Sequence, residues 1–109
     1  MSVRVEKNQG VWTIIHSRPE SRNAMDPTSA DNLTDAFLEF NENKDGKVAV
    51  FWGEGGAFCA GWDLKFASTL NENDPLKELD IKINNKVSQD SKLMPRGPMG
   101  PSRLNLKKP

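Results

Sequence analysis

The stretch KVAVFWGEGGAFCAGWDLK, from Lys47 to Lys65, decides the fold. It opens with an unbroken apolar run, Val48 to Trp52, in which no polar residue alternates with the apolar ones. A run of this kind is typical of a strand that is covered on both faces, as strands are in a parallel sheet. We therefore predict a buried parallel strand over 47–52, at the centre of the sheet of an α/β fold.

A glycine-rich turn follows this strand and leads to a helix that we predict to begin near Asp63. Ligands of open α/β sheets bind beyond the carboxyl ends of the strands, and glycine lets them approach main-chain N–H groups. The N–H of Trp62 would lie at the positive end of such a helix, where it can bind an anion or polarise a carbonyl group. On the pattern alone a plainer explanation is favoured, in which the glycines only permit a sharp turn. These glycines are Gly53, Gly55, Gly56 and Gly61.

The N-terminal segment has the pattern of a β-hairpin. Val3 and Val5 alternate with charged residues, and the run Val11 to His16 is rich in β-branched and aromatic side chains. Between them, Asn8-Gln9-Gly10 supplies the turn. We predict that the second strand ends before Pro19, because proline lacks the N–H that a β-ladder requires.

Asp26-Pro27 marks the start of a helix. Aspartate can accept a hydrogen bond at the N-cap, and proline fits the first helical position, where no donor is needed. Apolar residues then recur at helical spacing and end before Gly46, so we predict one amphipathic helix. Those residues are Ala30, Leu33, Ala36, Phe37 and Phe40.

The pattern is weaker beyond Lys65. Apolar residues recur along one helical face after Pro75, among very polar neighbours, so we predict a variable helical segment over 66–95. Prolines and glycines are concentrated in residues 94–103, which we predict to be a loop. The apolar positions of the helical face are Leu76, Leu79, Ile83 and Val87.

The composition excludes several classes of partner. Lysine plus arginine and aspartate plus glutamate number 15 each, giving a net charge of +0 and no support for binding to nucleic acid or to an anionic membrane. Cys59 is the only cysteine, so an intramolecular disulfide is excluded. No apolar stretch approaches the ~20 residues of a transmembrane helix, and no signal or transit pattern is seen, so we expect a soluble cytoplasmic protein.

Other ligand motifs do not fit the glycine-rich turn. The spacing Gly53-x-Gly55-x-x-Phe58 departs from the dinucleotide-binding fingerprint at its last position, and there is no Gly-Lys-Ser/Thr phosphate loop. Neither NAD nor ATP is therefore indicated. His16 ends a strand and is predicted to be a surface or packing histidine rather than a general base. Cys59 is predicted to be a structural thiol, since no activating partner is evident.

Two motifs together resemble the crotonase (enoyl-CoA hydratase/isomerase) superfamily. The first is SRPESRNAM, residues 17–25, and the second is GGAFCAGWDLK, residues 55–65. A helix and a valine-rich strand join them at the distance typical of that family, which makes the pair far more specific than either motif alone. The resemblance implies that residues 1–109 are the N-terminal part of one crotonase-like domain, with a partial ββα spiral fold. It is strong over 3–65, weak over 66–95, and resumes at 96–101 and 108–109.

The resemblance also implies a site for acyl-CoA or CoA. In this family two backbone N–H groups polarise the thioester carbonyl and stabilise the enolate or oxyanion that forms during the reaction. By motif position, the first donor is the backbone N–H of Trp62. Coenzyme A is then part of the substrate, so the resemblance implies no separate cofactor and no metal. Residues that match the walls of the CoA site are Ala60, Asp63, Leu64 and Lys65 on one side and Ser21, Arg22 and Ala24 on the other.

Two features of the implied site have alternative explanations. The Trp62 indole stands where smaller residues are frequent in the family, and it either restricts the acyl pocket or simply packs. Arg18, Arg22 and Lys65 either face the phosphates of CoA or are ordinary solvated cations, and the second explanation is favoured for Arg18.

The second N–H donor and the catalytic acid and base of such enzymes match no position of this sequence. We therefore expect the chain to be truncated and inactive on its own, which agrees with its modest 36% of hydrophobic residues. We also expect unpaired strand edges and low stability unless it pairs with other chains.

The resemblance leaves the reaction type and the acyl substrate open. It implies a homotrimer or hexamer for the full-length enzyme, and a complete form could reside in mitochondria or peroxisomes. The alternative function is a catalytically inactive interaction module that docks on full-length homologues.

Overall fold

The computed structural model of the protein describes residues 2–68 and 96–109. Within those residues the strands are β1 (Val3–Asn8), β2 (Val11–His16) and β3 (Val48–Gly53). The helices are α1 (Pro27–Glu42) and α2 (Leu64–Ala67), with short 3-10 helices at Pro19–Ser21 and Pro101–Arg103. The α/β prediction is confirmed, whereas most of the predicted helical segment 66–95 lies outside the described residues.

The predicted hairpin is confirmed. Strands β1 and β2 pair antiparallel, from Val3 opposite His16 to Asn8 opposite Val11. The two turn residues, Gln9 and Gly10, have φ angles of 51° and 87°. Positive φ at both central positions is the geometry that matches the right-handed twist of a hairpin.

The predicted position of β3 at the sheet centre is wrong for the described part of the chain. There the strand order is β1-β2-β3, so β2 lies in the middle and β3 pairs with it in parallel. The hairpin places β2 between its two partners. On its other side, β3 makes a backbone hydrogen bond at one point, where the Ala49 N–H donates to the Pro109 carbonyl at 2.9 Å.

The prediction that β3 is covered on both faces is also wrong for the described residues. Ala49 and Phe51 pack against the core beneath the sheet. Val50 and Trp52 point to the opposite face and remain 48% and 47% exposed. An apolar run without alternation gives no information on which face a neighbouring layer will cover, because successive side chains alternate in direction regardless.

Helix α1 begins and ends as predicted and covers one face of the sheet. The Asp26 carboxylate accepts a hydrogen bond from the Ser29 N–H at 2.8 Å, and proline occupies the first turn. The helix ends at Glu42, before Gly46. Its apolar side packs on β1 and β2 to form the core, whose buried members are Val3, Ile14, Met25, Ala30, Leu33, Ala36 and Phe37. Among the described helices, neither has the length and apolar character needed to cross a membrane.

The described part of the predicted loop 94–103 contains a turn and a single 3-10 helix. Gly97 and Gly100 exchange backbone hydrogen bonds of 2.8 and 3.1 Å. The last residues then run back to α1, where the Lys107 N–H donates to the Asn41 side chain at 2.7 Å. The C-terminal segment is therefore tied to the helix and to β3.

Candidate functional site

The two sequence motifs meet in a short parallel β-bridge between Met25 and Trp62. The Met25 N–H donates to the Gly61 carbonyl at 2.7 Å, and the Asp63 N–H donates to the Met25 carbonyl at 2.7 Å. Successive peptide groups of an extended segment face opposite sides, so the N–H and C=O of Trp62 point away from Met25. No acceptor for the Trp62 N–H occurs among residues 2–68 and 96–109, and the bridge thus fixes the direction of an uncommitted donor.

A helix of four residues, α2, begins immediately after this donor, as predicted. The Asp63 carboxylate caps it by accepting hydrogen bonds from the N–H groups of Lys65 and Phe66, at 2.8 and 3.2 Å. Those two donors are therefore already used. So short a helix has little dipole, and the chemical value of the Trp62 N–H lies in its fixed orientation rather than in a helix terminus.

Arg18, in the first motif, connects that motif to the second one through its guanidinium group. Its guanidinium donates to the Asp63 carboxylate at 2.9 Å and to the Ala24 carbonyl at 2.6 Å, and it lies 3.6 Å from the Asp26 carboxylate. The Arg18 side chain is 19% exposed. The favoured prediction of a solvated cation is therefore wrong, and its alternative, a phosphate ligand, is disfavoured because the donors are committed within the fold.

The Asp63 side chain is an ionised structural group. The hydrogen bond from Arg18 lowers the pKa of the Asp63 carboxyl below its ordinary value, and the backbone N–H groups of Phe66 and Lys65 add to that effect. Hydrogen bonds to the charged form always act in this direction. Asp63, predicted to line the CoA site, is used in the structure to cap α2 and to pair with Arg18.

Asn23 has a structural role that the sequence reasoning missed. Its amide donates to the carbonyls of Glu54 and Ala57, at 2.8 and 2.7 Å, and accepts from the Arg18 N–H at 2.6 Å. The residue is fully buried and has a φ of 59°. Asparagine tolerates this left-handed conformation better than most residues, so its presence here was the available sequence signal for a turn. Asn23 fastens the glycine-rich turn to the first motif.

The first predicted wall of the CoA site lies around the 3-10 helix. The Ser21 hydroxyl donates to the Arg18 carbonyl at 3.2 Å. Arg22 is exposed and left-handed, with a φ of 55°, while Ala24 is buried beside the Met25 bridge. Of these three residues, only Ala24 is linked to the second motif. Its carbonyl accepts a hydrogen bond from the Arg18 guanidinium, which also donates to Asp63.

The second predicted wall is mostly open to solvent. Ala60, Leu64 and Lys65 are exposed, and Leu64 reaches 81%. They flank the Trp62 N–H along the chain. A bound ligand could therefore reach the side chains on this wall without rearrangement of the core.

The Trp62 indole is used in packing. Its Nε1 donates to the Pro98 carbonyl at 3.0 Å, and its ring centroid lies 5.5 Å from that of Phe66. Buried indoles usually satisfy their N–H in this way. Of the two explanations for this side chain, the structure therefore supports packing.

Glu54 directly follows β3, and its carboxylate is bound by the side chains of Arg4 and Ser17. Arg4 donates to both of its carboxylate oxygens, at 3.1 and 2.7 Å, and the Ser17 hydroxyl donates to it at 2.7 Å. These hydrogen bonds lower the pKa of Glu54 to about 2, the Arg4 contact contributing most. Glu54 is thus a structural carboxylate rather than a proton donor at neutral pH.

His16 lies at the inner end of β2, 1% exposed, and is a buried histidine rather than a surface one. Neither ring nitrogen has a hydrogen-bond partner. Burial lowers the pKa of the imidazole below its ordinary value, and the charge of Arg18 adds to the effect. The ring borders a pocket of about 300 Å³, lined by His16, Met25, Phe51, Phe58, Cys59, Met99, Pro101 and Ser102. In the part of the chain that the structure describes, no cluster of acidic, histidine or cysteine side chains could hold a metal ion.

Comparison with known proteins decides the family. The model of the family described as enoyl-CoA hydratase/isomerase matches residues 6–92, most of the chain. The chain belongs to the enoyl-CoA hydratase/isomerase family. The predicted family and the partial crotonase-like fold are thereby confirmed.

Similar members of the enoyl-CoA hydratase/isomerase family carry several reaction names. Hydroxycinnamoyl-CoA hydratase-lyase of Pseudomonas fluorescens is 39% identical over 89 residues, which is 81% of this chain and 32% of that protein. The mitochondrial 3-hydroxyisobutyryl-CoA hydrolase of Dictyostelium discoideum is 37% identical, over 72% of this chain and 22% of that protein. This chain therefore spans about a third or less of the length of these relatives.

Solved structures of the family show the same arrangement. The enoyl-CoA hydratase of Bacillus anthracis superposes with a TM-score of 0.67 at 26% identity, covering 72% of this chain and 31% of that one. An enoyl-CoA hydratase of Mycobacterium tuberculosis gives a TM-score of 0.59 at 37% identity, covering 62% of this chain and 27% of that one. In both comparisons this chain matches a minor part of a larger enoyl-CoA hydratase.

Proposed function

We propose that this chain carries half of a site that activates acyl-CoA thioesters, with the Trp62 N–H donating to the thioester carbonyl oxygen. The observation that carries the proposal is the Met25–Trp62 bridge, which turns that N–H away from the ladder and leaves it without an acceptor among the described residues. A donor that is fixed before the substrate arrives stabilises the charge that develops on the oxygen without reorganisation. The family membership and the CoA thioesters in the relatives' names support the same substrate class.

The CoA moiety would lie across the exposed wall beside this donor. Arg22 and Lys65 are the two exposed cations of the proposed walls, and in the described residues neither makes a side-chain ion pair. Arg22 and Lys65 are suited to bind the phosphates of CoA. Arg18 is not, because its donors are already bound to Ala24 and Asp63. Ser21, Ala24, Ala60, Asp63 and Leu64 complete the proposed contact set.

The chain alone would not turn the substrate over. Asp63 is the carboxylate next to the donor in sequence, and its lowered pKa and the hydrogen bond that it accepts from Arg18 keep it ionised and engaged. A general acid or base needs a pKa near the working pH and a free path to the substrate. The second donor and the proton-transferring groups would come from residues beyond those proposed here, in an assembled enzyme that we expect to be a trimer or hexamer.

Calorimetric titration of the full chain with acetyl-CoA and with free CoA tests the proposal. Replacing Trp62 by Pro removes the backbone N–H. Trp62→Phe keeps the backbone N–H and replaces the indole, with its hydrogen bond to the Pro98 carbonyl, by a smaller ring. A lost hydrogen bond of ~1.4 kcal/mol corresponds to about tenfold weaker binding. We expect W62P to weaken the binding of acetyl-CoA by about that factor and to leave the affinity for free CoA unchanged. W62F should leave the ratio of the two affinities unchanged.

Circular dichroism of each variant separates loss of the donor from loss of the fold. Equal weakening of both ligands by W62P in a folded protein would contradict the donor role while leaving CoA binding intact. No saturable binding of either ligand by the parent chain would contradict the substrate class itself.

A second candidate function, an interaction module that docks on full-length homologues, is favoured by one observation. Val50 and Trp52 expose about half of their surface on the outer face of β3. Exposed apolar side chains on neighbouring positions of a sheet face are typical of an interface. Co-purification of tagged chain with a full-length family enzyme, with and without Trp52→Thr, distinguishes this function from the half-site.

A further inference from the structure

The uncommitted N–H of Trp62 lies at one end of a chain of hydrogen-bonded peptide groups that begins at Arg18. The guanidinium of Arg18 donates to the Ala24 carbonyl at 2.6 Å. The N–H of that same peptide group belongs to Met25 and donates to the Gly61 carbonyl at 2.7 Å. The Gly61 carbonyl in turn shares its peptide group with the Trp62 N–H. We call these two peptide groups, 24–25 and 61–62, the relay.

The two groups of the relay are aligned head to tail. In a planar trans peptide group the C=O and the N–H point in opposite directions, so each group accepts on one side and donates on the other. A second hydrogen bond of the bridge, from the Asp63 N–H to the Met25 carbonyl at 2.7 Å, keeps the two segments side by side. Ala24 and Met25 are 8% and 2% exposed. Water therefore has little access to the first group of the relay.

A cation at the carbonyl end of such a chain strengthens the donor at its other end. Hydrogen bonds in a chain polarise one another, by about 10–30% per bond, in surroundings of low dielectric constant. A hydrogen bond from a charged donor is also stronger than one between neutral groups. Arg18 therefore draws electron density along the relay and leaves the Trp62 N–H more positive. Such a donor favours the negative charge that develops on a thioester oxygen.

Two carboxylates act against this effect. Asp63 lies 2.9 Å and Asp26 lies 3.6 Å from the guanidinium of Arg18. Asp63 is ionised at neutral pH, because hydrogen bonds from Arg18 and from backbone N–H groups lower its pKa. The two carboxylates hold the guanidinium in place and neutralise part of its charge. Removing the charge of Asp63 alone should therefore increase the polarisation of the relay.

We propose that Arg18 is a positioning residue of the thioester site and that it polarises the Trp62 N–H through the relay. This inference rests on the proposed donor role of Trp62, and it gives a function to a cation whose hydrogen bonds are made within the fold. A purely structural clamp and a polarising relay differ in one respect. The clamp is weakened by loss of the Arg18–Asp63 ion pair, whereas the relay is strengthened by loss of the Asp63 charge.

Calorimetric titrations of the full chain with acetyl-CoA and free CoA test the proposal, because the ratio of the two affinities isolates the thioester carbonyl from the rest of the ligand. Arg18→Met removes the cation and should lower this ratio about threefold, while Asp63→Asn keeps an acceptor oxygen for Arg18 and should raise it about twofold. Arg4→Met is the matched control, since Arg4 pairs with Glu54 through two hydrogen bonds outside the relay, and it should leave the ratio unchanged. An unchanged ratio in R18M, or a ratio in D63N that is lower or unchanged, would overturn the proposal. If R18M does not fold, D63N decides alone.

A second readout needs no ligand, so it separates failure of the relay from failure of the thioester site. The scalar coupling between the Met25 ¹⁵N and Gly61 ¹³C′ nuclei grows as the hydrogen bond between these groups becomes stronger. We expect this coupling in NMR spectra of the full chain to be smaller in R18M, larger in D63N and unchanged in R4M. Couplings that follow this pattern in a chain that binds neither ligand would contradict the thioester site and support the relay. Equal couplings in the parent, R18M and D63N would overturn the relay, whatever the outcome of the titrations.

Discussion

The Arg18 guanidinium and the Asp63 carboxylate form a 2.9 Å ion pair between residues 45 positions apart in sequence. The same carboxylate caps α2, and the same guanidinium binds the Ala24 carbonyl. One pair of side chains therefore connects the first motif, the turn that contains Trp62, and the helix that follows. This connection and the backbone bridge to Met25 both act on the segment that contains Trp62.

Asp63→Ala removes both the cap and the ion pair. An N-cap contributes ~1 kcal/mol and a hydrogen bond to a charged group ~1.5–3 kcal/mol, so the free energy of unfolding should fall by about 2–4 kcal/mol. Asp63→Asn retains an oxygen for the cap and loses only the charge, and should cost about half as much. Urea denaturation followed by circular dichroism measures both. Equal losses in the two variants would mean that the cap contributes nothing beyond the Arg18 pair.

Asn23 offers a test of the link between the first motif and the glycine-rich turn. Asn23→Ala leaves the Glu54 and Ala57 carbonyls without their donor and places alanine at a φ of 59°. We expect a loss of about 3 kcal/mol. Asn23→Gly loses the same hydrogen bonds but adopts that φ freely, and should be about 1 kcal/mol less damaging. A glycine variant no better than the alanine variant would show that backbone strain is not a factor there.

Local signals predicted most of the described elements. Asn8-Gln9-Gly10 predicted the hairpin and Asp26-Pro27 the start of α1, because turn and cap chemistry depend on a few adjacent residues. The motif containing Trp62 predicted the turn, and the structure places an uncommitted donor there.

Long-range relationships escaped the sequence reasoning. The pairing of Arg18 with Asp63 and the double amide contact of Asn23 join residues more than thirty positions apart, and no local pattern marks either. The apolar run of β3 indicated a buried strand but gave neither its place in the sheet order nor the exposure of Trp52. Those properties depend on which layers surround the strand.

The pH dependence of stability should show the Arg4–Glu54 pair at the acid end. The pKa of Glu54 falls from 4.5 to about 2 on folding, so its stabilising contribution is complete above about pH 4.5 and is lost as pH falls towards 2. Glu54→Gln should lower stability at pH 7 and converge with the parent near pH 2. Thermal denaturation from pH 7 to pH 2 measures the difference.

Asp63 titrates with the same sign, because its pKa is also lowered, so some acid sensitivity should remain in E54Q and decrease further when Asp63→Asn is added. A constant difference between parent and E54Q over the whole pH range would contradict the role assigned to the Arg4 hydrogen bonds.

His16 should govern stability at higher pH than the carboxylates. Its pKa is lowered from 6.5, so the unfolded chain binds a proton more readily than the folded one, and stability should decrease as pH falls below about 6.5. His16→Leu removes this dependence between pH 7.5 and 5.5 and also removes the unsatisfied nitrogens, so the variant should be more stable than the parent. An unchanged slope in that range would show that His16 is not the group responsible.

Trp52 tests the consequence of the open outer face of β3. With Val50 and Trp52 each about half exposed, the isolated chain should self-associate through this face. Trp52→Thr keeps strand propensity while removing apolar area, and should shift sedimentation towards the monomer with no loss of folded structure. Leu64→Thr is the control, because it removes an exposed apolar side chain that lies on α2 and not on this face of the sheet. Self-association that persists unchanged in W52T would place the contact elsewhere and remove the one observation that favours an interaction module over a half-site.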